Sequence, residues 1–153
     1  TLYENSDEPY CEELAKAITT EIRKGNRIDT TTKLRNVIEK TLDFLPNNKE
    51  KKDIIKKTCQ RTFQALRIDV NNEFEVLYEF MEKLPGALKP GGRVAILTFH
   101  SGEDKLVKKA LKVGYKEGIY SEYARDVVRP SAQECAQNGR ARSTKMRWAV
   151  KAE

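Results

Sequence analysis

Two short stretches hold the residue types most able to do chemistry. The first is His100-Ser101, directly after the apolar run 93–99. Imidazole changes charge near neutral pH and can give or accept a hydrogen bond, and the neighbouring hydroxyl adds one donor and two lone pairs. From its type alone His100 suits a ligand-facing role and a structural hydrogen-bonding role equally. The second stretch is basic: Arg140, Arg142, Lys145 and Arg147, opened by Gly139 and closed by Trp148. Closely spaced cations suit a polyanion, and a solvated surface is the alternative. Other chemistries find less support. His100 is the single histidine, so a site that needs two is excluded. Cys11, Cys59 and Cys135 show neither zinc spacing nor disulfide logic, so no metal is expected and a reducing cytoplasm is the default. Asp104 lies too near His100 in sequence to be presumed its orienting partner. Gly91-Gly92 precedes the apolar run instead of following it, so it reads as a turn and not as a phosphate cradle.

Charge separates the chain into parts. Residues 1–60 carry 12 basic and 11 acidic side chains, whereas residues 93–153 carry 13 and 7. Residues 93–153 alone therefore carry a net charge equal to the whole chain's +6. The chain has 153 residues, enough for one domain with a small helical annex, and needs no disulfide or metal to hold a core. Its longest apolar stretch, residues 94–97, is far too short for a bilayer. No charged-then-apolar leader opens it, and a first residue Thr1 suggests a piece of something longer.

The elements that must position those residues follow from periodicity. Ser6 and Asp7 as caps and Pro9 in a first turn predict a helix with the stripe Tyr10, Leu14, Ile18 and Ile22. Caps at residues 29–32 open a second helix, with the stripe Leu34, Ile38, Leu42 and Leu45, stopped by Pro46. Apolar residues from Ile55 to Leu84 recur every three or four positions. They predict one long helix, or two joined near Asn71-Asn72, ending before Pro85. The run 93–99 is apolar on successive residues and predicts a strand buried on both faces, of the parallel kind. A helix then begins near Glu103, and residues 122–129 and 145–151 can form two more strands, with the basic run between them. Ligands of open α/β sheets lie outside the carboxyl ends of strands, which is where His100 and Ser101 fall.

The motif Arg61-Thr62-Phe63-Gln64-Ala65-Leu66-Arg67-Ile68-Asp69-Val70-Asn71-Asn72-Glu73 resembles the long-helix signature of the RsmH (MraW) methyltransferases. Residues 88–93 with 98–104 resemble that family's strand-and-loop element, and residues 138–147 its closing basic motif. The departures are Gly102, where the family usually has leucine, Gly139, where it usually has proline, and a short segment at 112–128. The resemblance implies S-adenosylmethionine as cofactor of the intact enzyme and the exocyclic amine of a cytidine in small-subunit ribosomal RNA as its target. The family's cofactor loop precedes its helical insertion, and this chain resembles the part from the insertion onward. The resemblance therefore implies the C-terminal half, α/β in class: a helical insertion subdomain at 1–60, then, at 61–153, the last three strands of a Rossmann-like sheet. No cofactor is expected on this chain alone, which is expected to be inactive. His100 and Ser101 would line the base end of the site, Arg140, Arg142, Lys145 and Arg147 would hold RNA phosphates, and Asn71 and Arg67 would face the cleft. The expected partners are ribosomal RNA or the small subunit, the missing N-terminal half, and a second copy through an open sheet edge. The rival readings are a non-catalytic RNA-binding module and a partner of a separately encoded N-terminal half.

Overall fold

A computed structural model describes all residues, 1–153. The chain is a mixed α/β protein of two compact units, Thr1–Asn72 and Glu73–Glu153. A boundary after residue 60 would cut a continuous helix.

The first unit is helical: α1 (Leu2–Ser6), α2 (Cys11–Arg23), α3 (Thr31–Thr41) and α4 (Lys49–Asn71). The starts of α3 and α4 follow capping chemistry. Thr30 Oγ1 accepts the Lys33 N–H, and Asn48 Oδ1 accepts the Lys51 N–H. The predicted stripes meet in a core of Leu14, Leu34, Ile38 and Leu42, with Ile18, Leu45, Ile55, Cys59 and Phe63 packed around it. The start of α2 differs from expectation. Asp7, read as a helix cap, instead closes the short α1 at φ 50°, and α2 begins at Cys11. Glu8, between them, is fully buried, and its carboxylate accepts from Arg61 Nε at 2.6 Å and from the Tyr10 N–H at 3.0 Å.

The second unit contains α5 (Glu73–Ala87), β1 (Arg93–Thr98), α6 (Ser101–Lys116), β2 (Tyr120–Tyr123), α7 (Ala132–Gln137), a 3₁₀ turn (Gly139–Ser143) and β3 (Lys145–Lys151). Asn72, at φ 51°, adopts the left-handed conformation that ends α4, so the long periodic segment is two helices. The second of them passes through Pro85 instead of stopping before it. Lys151 Nζ donates to the Pro85 and Leu88 carbonyls at 2.5 and 2.9 Å and so satisfies acceptors at that helix end.

The strand order is β1-β3-β2, and both pairings are antiparallel. Register in the first pair runs from Arg93 opposite Val150 to Thr98 opposite Lys145. This corrects the expectation of a parallel strand; burial on both faces is the expectation for the intact enzyme, with an edge left open in this chain. β1 has one edge unpaired, and its residues alternate between exposed and half-buried up to the buried Thr98. Val94 and Ile96 turn to a core of Met81, Leu84, Val107, Leu111, Tyr120 and Ala149. Ala95 and Leu97, on the opposite face, stay exposed. The strand expected over 122–129 shrinks to β2 and a single bridge, Val128 to Met146. Most of the connection that follows is α7 and the 3₁₀ turn.

Candidate functional site

The carboxyl end of β1 gathers most of the predicted residues of the second unit. His100 is the N-cap of α6, with extended backbone, and its Nδ1 accepts the Glu103 N–H at 3.4 Å. Glu103 returns the contact: its Oε2 accepts the Phe99 N–H at 3.0 Å, and its Oε1 lies 3.4 Å from His100 Nε2. The imidazole also meets the Phe74 ring edge to face, with centroids 5.8 Å apart. Histidine here does the work usually given to serine or aspartate at a helix start. His100 is therefore held in one orientation, at 11% side-chain exposure. That orientation leaves Ser101 exposed beside it at the head of α6.

Phe74 explains a second feature. A Cβ on Gly102 would stand 2.7 Å from Phe74 Cζ, so the ring fills the space a larger side chain would need. Glycine at 102 and phenylalanine at 74 are complementary.

The ligand atoms of Glu73, His100 and Glu103 lie within 4.8 Å of one another, a grouping of the kind that can hold a divalent cation. Glu103 is, however, already engaged on both oxygens by the Phe99 N–H and His100. The cluster closes the start of α6 on itself.

The basic run splits in two. Arg140 and Arg142 are exposed on the 3₁₀ turn, which Asn138 caps by accepting the Arg140 N–H at 3.1 Å. Lys145 is half-buried and opens β3 opposite Thr98, two residues before His100. Register therefore carries the basic turn to the same end of the sheet as His100 and Ser101. Arg147 behaves otherwise. It is buried, and its guanidinium grips Asp104 through two bonds, Nε to Oδ1 at 2.7 Å and Nη2 to Oδ2 at 3.1 Å. Nη1 donates to the Ala124 and Arg125 carbonyls at 3.5 and 3.4 Å. Its donors are committed inside the protein, so a role in holding RNA phosphates does not fit its geometry. The Arg147 hydrogen bonds hold the Asp104 carboxyl below its ordinary value, against the opposing effect of burial.

Asp104 and Phe74 were the residues that sequence reasoning did not place. Asp104 fixes α6 against β3, and Phe74 fixes the ring of His100. The partner of Asp104 lies 43 positions away, a separation no local pattern reports. Arg67 and Asn71 sit exposed at the end of α4, in the first unit.

The fold is thus an α/β unit with a basic lip at the carboxyl end of its edge strand, preceded by a helical unit. Residues 1–152 match the model of the MraW methylase family, and the chain belongs to that family. It is 89% identical over 152 residues to a protein named ribosomal RNA small subunit methyltransferase H 1 from Agathobacter rectalis, covering 99% of this chain and 43% of that one. A protein of the same name from Lachnoclostridium phytofermentans is 70% identical over 151 residues, 99% of this chain and 41% of the relative. Ribosomal RNA small subunit methyltransferase H of Rickettsia prowazekii is 36% identical over 167 residues, 98% of this chain and 52% of the relative. The chain thus spans less than half the length of the first two relatives. No helix is long and apolar enough to cross a membrane.

Proposed function

We propose that this chain is the C-terminal, RNA-facing part of a methyltransferase that modifies the exocyclic amine of a cytidine in small-subunit ribosomal RNA. The names of its relatives support the substrate class, and their greater length supports a larger parent. The observation that carries the reading is the convergence at the end of β1. Exposed Arg140 and Arg142, together with Lys145, lie toward the end of the sheet where His100 and Ser101 begin α6. The unpaired edge of β1 fits a sheet continued by strands of the parent, and its exposed Ala95 and Leu97 fit a face covered by a further layer there, Rossmann-like in the whole protein.

In this reading Arg140, Arg142 and Lys145 take backbone phosphates, which positions RNA without reading its sequence. His100, fixed by Glu103 and Phe74, offers a rigid wall beside the target base, and the Ser101 hydroxyl offers a polar contact. Arg67 and Asn71, exposed at the end of α4, are taken as separate candidate RNA contacts of the helical unit. S-adenosylmethionine would supply the methyl group, but the residues present do not fit it. The start of α6 is satisfied by its own side chains and carries Glu103 and Asp104, so it forms no cradle for the cofactor. Cofactor contacts are assigned to the rest of the parent, and the chain's contribution is orientation of RNA. A cytoplasmic location goes with that substrate.

Binding measurements test the reading. Calorimetry should detect no micromolar S-adenosylmethionine binding to this chain. Single-stranded RNA should bind with a log–log salt slope of about −2 from Arg140, Arg142 and Lys145, at roughly −0.7 per phosphate. RNA binding without a salt slope from these residues would end the reading of the basic lip. A concentration-dependent dimer closed through the β1 edge would instead show that the edge serves a second copy.

A further inference from the structure

The helix α6 carries five exposed lysines, Lys105, Lys108, Lys109, Lys112 and Lys116. At about 100° per residue they fall with Ser101 in one arc of about 100°, and no other residue of the helix shares it. The buried Val107, Leu111 and Gly114 lie on the opposite side, so the arc faces away from the sheet. It holds no acid. Glu103 is engaged by the Phe99 N–H and His100, and Asp104 by Arg147. Like charges three and four positions apart repel and weaken a helix, so the row works against the element that carries it. Along the axis the five lysines span roughly 16 Å, a mean spacing of about 4 Å. Phosphates along one strand of a double helix recur on the same scale, about 3.4 Å in B-form DNA. The arc has no aromatic side chain, the platform on which single-stranded bases stack. It offers a rigid row of charge alone, which suits the backbone of a duplex. A basic helix that lies on a membrane uses its apolar face there, and the apolar face of α6 is already packed in the core. Two features tie the row to the basic lip. Ser101 heads it, beside His100. Behind the Arg147 hydrogen bonds, the charges of Lys145 and Lys108 both help hold the Asp104 carboxyl low, so lip and row meet there.

We propose that the outer face of α6 docks on the phosphate backbone of double-helical RNA flanking the single-stranded stretch held at the basic lip. The inference rests on the RNA-facing reading of the chain and adds a second surface, for a different form of RNA. The lip cations position the strand to be modified. The α6 lysines hold the stem beside it, by shape and charge and not by sequence.

Two RNA probes separate the surfaces: a hairpin with a single-stranded tail, and the tail alone. Binding of each to the full chain is measured by fluorescence anisotropy over a range of salt. The combined variant Lys105→Gln, Lys109→Gln, Lys112→Gln and Lys116→Gln should flatten the hairpin's log–log salt slope by about 3.6, four duplex contacts at roughly 0.9 each. It should leave binding of the tail alone unchanged. Glutamine matches lysine in helix-forming tendency, so the fold is retained. Lys→Arg changes at the same four positions should keep the slope. Removing as much charge from the exposed lysines of α4, with Lys49→Gln, Lys52→Gln, Lys56→Gln and Lys57→Gln, should leave both probes unchanged. Arg140→Ala with Arg142→Ala should instead weaken both. The proposal falls if the α6 variant binds the hairpin with the full slope, or loses as much on the tail as on the hairpin. It falls equally if the α4 variant loses as much, if neither RNA binds, or if vesicles rich in anionic lipid bind through the same lysines as tightly as the hairpin. If the tail shows no dependence on Arg140 and Arg142 while the hairpin still depends on α6, the reading of the lip fails and the docking surface stands.

Discussion

Arg147 and Arg142 belong to the same basic run and are five residues apart, yet they have opposite fates. Arg142 lies on a short turn with nothing packed over it and keeps its charge in water. Arg147 lies on the central strand, on the face that α6 covers, and is 5% exposed. A buried guanidinium is tolerated only when its charge and its donors are matched, and Asp104 with two backbone carbonyls matches them. One arginine holds the fold together and the other is free to meet a ligand. A count of basic residues cannot separate the two roles.

The contrast breaks most sharply at the buried arginine. Arg147→Ala leaves Asp104 without its partner and should destabilise the protein by about 3–5 kcal/mol, read as a lower urea midpoint. Its effect on the salt slope of RNA binding should be nil in the molecules that remain folded.

Gly102→Leu comes next, at roughly 1–3 kcal/mol, because the new side chain meets Phe74. Phe74→Ala in the same chain should recover part of that loss, and chemical denaturation of the single and double variants measures the coupling. Additive losses would show that the two positions do not share one space.

Acid sharpens the comparison further. The folded-state pKa of Asp104 lies below its unfolded value. Its contribution is therefore fully present above the unfolded value of about 4 and is lost as pH falls through the folded one. Thermal melts between neutral pH and pH 3 should show a stability loss that is smaller in Asp104→Asn. That variant should already be less stable at neutral pH.

The smallest effect on stability belongs to the exposed end of the run. Arg140→Ala with Arg142→Ala should change stability by no more than about 0.5 kcal/mol. The same change should flatten the RNA salt slope by about 1.4, two contacts at roughly −0.7 each. If the pair destabilises the fold as Arg147→Ala does, the division between structural and RNA-facing cations is wrong.

The helical unit was the more legible of the two. Stripes at helical spacing and the caps read at residues 29–32 are local signals, and Thr30 does cap α3, whereas the cap at Asn48 showed only in the structure. The join near Asn71-Asn72 was one of two readings, and the left-handed conformation that asparagine accepts decides between them. Pro85 misled because the loss of one N–H need not stop a helix whose last carbonyls find a distant donor, here Lys151. The run 93–99 misled because apolar side chains on successive residues do not say which neighbours exist. Its partner is antiparallel β3, and one face and one edge remain open.

By itself the sequence determined the apolar stripes of α2, α3 and α4, the family, the cluster of cations at 140–147 and the place of His100 after a strand, all of which rest on short-range order. Tertiary structure alone decided that Phe74 packs on the His100 ring, that Arg147 is bound to Asp104, that Phe74 fills the space over Gly102, and that Tyr120 is buried without a partner. Each of those depends on side chains that the chain's own path brings together from positions far apart. Burial then raises the importance of every match or mismatch between them, because water no longer supplies the missing bond.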